Sequence, residues 1–182
     1  MGKIVILTGS PRRKGNTFAM VNRFKEAAES KGHTVTQFDT AFMRVAGCRG
    51  CDKCYSREGA CIYRHEFNKV VETVLDADFI LIAAPVYWYS FPAQIKAVID
   101  HFYAFCVGGK DFKGKQCALV SCCAEDTLET FDGIRFAFER TMKYLQCRIV
   151  DEILIPGVTA PGDIKQTDGE KRAAELALSL KL

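Results

Sequence analysis

Short apolar runs alternate along the chain with stretches of helical spacing. Lys3–Thr8 reads as a hydrophobic strand, and residues 9–15 as a turn-rich loop. Phe18, Val21, Phe24, Ala27 and Ala28 predict a helix capped by Asn16 or Thr17 and stopped at Gly32. Residues 33–38 form a looser second strand. Phe67, Val70, Val71, Val74 and Leu75 predict an amphipathic helix leading into residues 79–84. That last run is short and uninterrupted, as in a central strand buried on both faces. Pro85 ends its ladder, having no N–H to donate. Ile95, Val98, Ile99 and Phe102 mark a helix after Pro92. Gln116–Cys122 is the fourth strand, with residues 127–145 helical through Leu128, Phe131, Ile134, Phe138, Met142 and Leu145. Arg148–Ile155 is the fifth strand, and residues 168–180 form a final helix with Asp168 as its predicted cap.

Five strands alternating with five helices predict an α/β doubly wound domain with right-handed crossovers. The common five-strand order, 2-1-3-4-5, switches direction between strands one and three. It makes the loop after Thr8 a neighbour of the loop after Ala84. Residues 1–182 read as one domain, in which residues 39–63 are a cysteine-rich insertion with no sustained period.

Composition narrows the classes. Apolar residues make up 48% and charged ones 26%, which suits an ordered globule, and no apolar run approaches the length of a membrane span. The net charge of +3 is weak support for nucleic-acid binding but suits a small anionic ligand. Neither a nucleic acid nor a membrane is expected as a partner. The N-terminus reads as the first strand rather than a signal peptide. Nine cysteines in that setting imply metal ligation or buried thiols before a disulfide framework, and the cytoplasm is the expected compartment.

Two loops carry candidate binding chemistry. Gly9-Ser10-Pro11-Arg12-Arg13-Lys14-Gly15-Asn16-Thr17 joins a strand to a helix N-terminus, where free N–H groups and the dipole favour a phosphate. Ser10, Asn16 and Thr17 can add hydrogen bonds and Arg12 a charged fork. The loop is neither a Walker A nor a G-x-G-x-x-G motif; the plainer reading is a solvated basic turn. Pro85, Val86, Tyr87, Trp88 and Tyr89 stand at the carboxyl end of the central strand, where open sheets bind ligands. Their rings can stack on a flat ligand, or pack a loop or subunit contact. A phosphate on one loop and a flat ring on the next spell a mononucleotide such as FMN. His101 lies on a helix with no thiol paired to it by spacing, so no catalytic residue is expected.

Gly9-Ser10-Pro11-Arg12, Gly15-Asn16-Thr17 and Pro85-Val86-Tyr87-Trp88, with Pro92-Ala93-Gln94-Ile95-Lys96 and Asp100, resemble the NAD(P)H-dependent FMN reductase family of flavodoxin-like proteins. The resemblance covers nearly the whole chain. It implies a three-layer sandwich, FMN as cofactor, NAD(P)H as co-substrate and a flavin, quinone or other small acceptor. It also implies that Ser10, Arg12, Asn16 and Thr17 hold the phosphate while residues 85–89 line the ring. Ser121, Cys122 and Cys123 fall where the family's third flavin-facing loop lies, with a Cys-Cys pair replacing a glycine-rich version. The family and the excess aromatics together imply a homodimer or homotetramer. A non-catalytic flavin-binding domain is a further alternative.

Cys48-x2-Cys51-x2-Cys54-x6-Cys61 is the sharpest spacing signal. Soft all-sulfur ligation means zinc or iron–sulfur, and three cysteines spaced by two residues are closer to a [4Fe–4S] run. Free thiols or a labile disulfide are the other readings. The pattern is similar to that of the iron–sulfur flavoproteins, in which matching cysteines hold a [4Fe–4S] cluster near FMN and electrons pass to ferredoxin-like partners. Where many relatives have an acidic pair, this chain has Ile62-Tyr63-Arg64-His65-Glu66. Cys106, Cys117, Cys122, Cys123 and Cys147 fall on apolar elements and read as small buried hydrophobes.

Overall fold

The predicted strands form one all-parallel sheet in the order β2-β1-β3-β4-β5, in a computed structural model that describes residues 1–182. They are β1 (Lys3–Thr8), β2 (Thr34–Asp39), β3 (Phe79–Pro85), β4 (Gln116–Cys122) and β5 (Arg148–Ile155). The helices are α1 (Asn16–Ser30), α2 (Val71–Asp76), α3 (Ala93–Asp100), α4 (Tyr103–Val107), α5 (Asp132–Tyr144) and α6 (Gly169–Ser179). Successive strand residues point to opposite faces, so β1 and β3 each supply both cores. Val5, Leu7, Ile80 and Ile82 pack with α2 to α5, while Ile4, Ile6, Phe79 and Leu81 pack with α1 and α6. Fully burying each such aliphatic side chain contributes about 1.5–3 kcal/mol. The fold is the flavodoxin-like three-layer sandwich with strand order 2-1-3-4-5. No helix is long and apolar enough to cross a membrane.

Several element boundaries differ from the sequence expectation, for local reasons. Residues 127–145 do not form one helix. Leu128–Phe131 is a 3-10 turn that leaves Leu128 61% exposed, and α5 begins after it. The Thr127 hydroxyl accepts from Glu129 N at 3.4 Å and holds that tighter turn. The helix predicted from Phe67 is likewise split, into a 3-10 turn at Glu66–Lys69 and the short α2. The predicted cap of α1 also moves, and Gly15 takes that position. Asp168 holds the cap position of α6 as expected, its carbonyl accepting from Arg172 N at 2.8 Å, but its side chain makes no capping bond and Thr167 Oγ1 accepts from Gly169 N instead. β3 runs one residue further than expected, because Pro85 still pairs in register with Cys122 and Val86 N donates to the Cys122 carbonyl.

Asp39 ends β2, and the rest of the insertion, residues 40–63, is irregular apart from 3-10 turns at Thr40–Phe42 and Lys53–Ser56. This insertion docks on the end of α4. A Cβ on Gly108 would stand 2.5 Å from Gly59 N, so the two backbones meet where no side chain fits. Beneath it lie Phe67, Phe102, Phe105 and Phe112, with ring centroids 5.2–5.6 Å apart along the Phe67–Phe105, Phe102–Phe105 and Phe105–Phe112 contacts.

Candidate functional site

The strand order places the loops after β1, β3, β4 and β5 around one cleft at the carboxyl edge of the sheet. A cavity of about 150 Å³ is lined by Ser10, Arg12, Asn16, Thr17, Pro85, Val86, Tyr87, Cys122 and Cys123, among others. A second, of about 220 Å³, lies against Val86, Cys123 and Ala124 as well, and continues to Trp88, Tyr89, Glu125 and Thr130. Together they form a trough of the size of small-molecule sites. Ser121 does not reach it. That residue is fully buried, and its hydroxyl donates to the Ala84 carbonyl at 2.7 Å, tying β4 to β3.

One end of the trough suits an anion. The first amides of α1 precede its first intrahelical bond, Ala19 N to Gly15 O at 3.1 Å, and so are free to donate. Ser10 Oγ accepts from Arg12 N at 3.2 Å, which leaves its own proton available. Arg12 lines the cavity, whereas Arg13 is held by Asp39 at 2.8 Å and lies over the Phe42 ring. Thr17 Oγ1 is 3.4 Å from Cys122 Sγ. Asn16 is placed differently from the expectation of a phosphate donor. Its Nδ2 donates to Ala160 O at 2.9 Å and its Oδ1 accepts from Gly162 N at 2.8 Å. The side chain therefore clamps the turn after β5, which brings Val158, Thr159 and Pro161 to the cavity wall. Those three residues were missed in the sequence, where only the turn-forming Pro156-Gly157 and Pro161-Gly162 hinted at a loop there. Asn16→Ala removes both bonds and is expected to cost about 1–3 kcal/mol, read as a lower midpoint in urea unfolding.

The other end is aromatic and strained. Tyr87 and Ser90 exchange backbone hydrogen bonds at 2.9 and 3.0 Å, closing a two-residue hairpin. Its central residues, Trp88 and Tyr89, have φ of 45° and 60°. Turns of this hand favour Asn and Gly, so two bulky rings at such angles store strain that the surroundings must hold. Glu125 supplies part of the hold, accepting from Tyr89 Oη at 3.2 Å and from Thr130 Oγ1 at 2.6 Å. The bond to Glu125 also raises the Tyr89 pKa above the ordinary phenol value. Gly133 leaves room for the hairpin, since a Cβ there would lie 2.1 Å from the Tyr89 carbonyl oxygen. Gly133→Ala would gain about 1 kcal/mol of helix propensity in α5. Overpacking against backbone costs about 1–3 kcal/mol, so a net loss of stability is expected in thermal unfolding, with the hairpin displaced.

Burial raises the pKa of both Cys122 and Cys123, the latter to about 11 with help from Cys122 and Glu125. Both thiols are protonated at neutral pH and are poor nucleophiles. An end that suits an anion and an apolar, ring-lined end on one trough fit FMN.

A separate cavity of about 280 Å³ lies under the insertion and is lined by all of Cys48, Cys51, Cys54 and Cys61. Burial raises the Cys54 pKa, and the neighbouring thiols of Cys48, Cys51 and Cys61 raise it further. Four cysteines lining one cavity offer the soft all-sulfur donor set that an iron–sulfur cluster takes. The structure also corrects the reading of His101, which stands beside Cys61 and His65 with ligand atoms all within 4.8 Å. Residues 61 and 101 are too far apart in sequence for spacing to show this. Burial, and after it His101, lowers the His65 pKa.

The family model described as NADPH-dependent FMN reductase matches residues 2–130. An iron-sulfur flavoprotein from Methanosarcina thermophila is 34% identical over 101 residues, covering 54% of this chain and 51% of that one. One from Archaeoglobus fulgidus is 29% identical over 103 residues, covering 57% and 46%. The chain spans about half the length of the curated relatives it matches. Among solved structures, an NAD(P)H:quinone oxidoreductase from Methanothermobacter marburgensis superposes with a TM-score of 0.80 at 17% identity, covering 100% of this chain and 96% of that one. An azoreductase from Bacillus anthracis superposes at 0.77 with 16% identity, covering 99% and 100%.

Proposed function

We propose, from the premise that the chain belongs to the NADPH-dependent FMN reductase family, that it binds FMN along the trough and works as an oxidoreductase fed by NAD(P)H. One observation carries this reading: the unpaired Arg12 and the free amides of α1 open onto the same trough as the apolar residues after β3. Ser10, Arg12 and the α1 amides would hold the phosphate, with Thr17 beneath it. Val86, Cys123 and Ala124 would lie along the ring, with Tyr87, Trp88 and Tyr89 at its edge. Bound FMN would supply hydride acceptance from the nicotinamide and electron delivery to a flavin, quinone or similar small acceptor. The protein's own part is to bind and orient. Glu125 keeps the Tyr89 hydroxyl protonated and aimed, and Thr130 fixes Glu125. No thiol nucleophile is required of Cys122 or Cys123.

A second reading adds a [4Fe–4S] cluster on Cys48, Cys51, Cys54 and Cys61, with electrons exchanged with a ferredoxin-like partner. It is favoured by the convergence of those four residues on one cavity and by the iron-sulfur flavoprotein relatives. The exposed Tyr87, Trp88, Tyr89 and Tyr103 suit a homodimer contact or a homotetramer. Anaerobic mixing with NADPH separates the two readings. Rapid bleaching of the bound flavin is the expected result for the reductase. Bleaching only by a reduced ferredoxin-type donor would overturn it in favour of the carrier.

A further inference from the structure

Cys61 from the insertion, His65 from the start of the turn that follows it and His101 at the end of α3 are brought together, and each offers a ligand atom to one small volume. Cys61 is 8% exposed and clamped by Asn68, whose Oδ1 accepts from Cys61 N at 2.9 Å and whose Nδ2 donates to Cys61 O at 3.1 Å. His101 Nδ1 lies 2.7 Å from the Ala97 carbonyl. A ring nitrogen facing a carbonyl carries the proton, so Nε2 keeps its lone pair. Metal-binding imidazoles are anchored in this way. The His65 ring meets His101 edge-on at 4.6 Å, and its buried Nδ1 has no hydrogen-bond partner.

We propose that Cys61, His65 and His101 form a mononuclear site for a zinc-class divalent cation, distinct from the all-sulfur cluster. Two imidazole nitrogens and one thiolate are ligands that zinc accepts, and the fourth position opens onto the cavity, where water completes the shell. Tetrahedral zinc sets its ligand atoms roughly 3.5 Å apart, so small side-chain rotations close the present spread. Binding releases the Cys61 thiol proton to solvent. Cys48, Cys51 and Cys54 line the same cavity without belonging to this group. Because Cys61 is common to both sets, this ion and a four-cysteine cluster exclude one another.

Cobalt(II) is the probe, titrated into the full chain stripped of metal and kept reduced without oxygen. A Cys48→Ser/Cys51→Ser/Cys54→Ser variant is expected to bind about one Co²⁺ per chain. The complex should show the intense visible bands of a tetrahedral ion and a thiolate charge-transfer band. Adding His101→Asn or, separately, His65→Ala should weaken that binding by roughly 100-fold or more, with FMN titration reporting that the fold is intact. His65 is only partly buried, so its variant carries the test if the His101 variant misfolds. A triple-serine variant that binds no cobalt with a thiolate band would overturn the site. So would cobalt affinity unmoved by either histidine change.

Discussion

If Cys48, Cys51, Cys54 and Cys61 hold a [4Fe–4S] cluster, Cys51→Ser protein purified without oxygen is expected to lose nearly all of its about four irons per chain while keeping its flavin. The two halves of this expectation rest on separate parts of the molecule. Cys51 is a wall residue of the 280 Å³ cavity under the insertion, and none of the four loop cysteines touches the trough at the sheet edge. Serine is nearly isosteric, but its oxygen is a hard ligand where iron–sulfur chemistry asks for a soft one. Iron, acid-labile sulfide and flavin measured on the same samples decide the matter. Wild-type protein with full flavin and no iron would end the cluster reading and leave the reductase standing. Loss of flavin together with iron would show that the two sites are structurally coupled.

Arg12→Ala should weaken FMN binding by roughly 10- to 150-fold, the equivalent of the 1.5–3 kcal/mol of a charge-assisted hydrogen bond. Arg12 is exposed, so salt screens it, and the effect should shrink toward the lower figure as ionic strength rises. Two controls make the test specific. Riboflavin, which lacks the phosphate, should bind wild type and variant alike. Arg13→Ala should change FMN affinity little, because that guanidinium is engaged with Asp39 and Phe42. Equal FMN affinity in wild type and the Arg12 variant, measured by flavin fluorescence titration, would place the phosphate elsewhere.

What the sequence made legible follows from where the decisive forces lie. Residues 79–84 announce a doubly covered central strand because nothing polar interrupts them, and Phe79–Pro85 is that strand. β4 and β5 span the residues read for them, Gln116–Cys122 and Arg148–Ile155. The α5 phase was readable from Phe131 onward, since Phe131, Ile134, Phe138 and Met142 are all buried. Leu128 misled because it matches the helical period while sitting in a 3-10 turn set by the Thr127 hydroxyl. Contacts between distant segments were hidden. Nothing near Asn16 in sequence indicates that its amide clamps Ala160 and Gly162, and the meeting of Cys61 with His101 depends on how the insertion docks. Ser121 falls where the family resemblance implies a flavin-facing loop, but it still lies within β4, and its hydroxyl is spent on the Ala84 carbonyl of β3.

The strained hairpin also gives the molecule an optical property. Trp88 is the sole tryptophan of the chain, and it is 94% exposed at the tip of the turn. Indole emission from this protein therefore comes from one place, already bathed in water, and is nearly blind to melting of the apolar interior. A yellow chromophore settling beside Trp88 would drain that emission by energy transfer, so the same lamp that follows occupancy of the trough ignores global unfolding. Stability has to be followed by circular dichroism, while tryptophan quenching serves as a label-free gauge of the cleft.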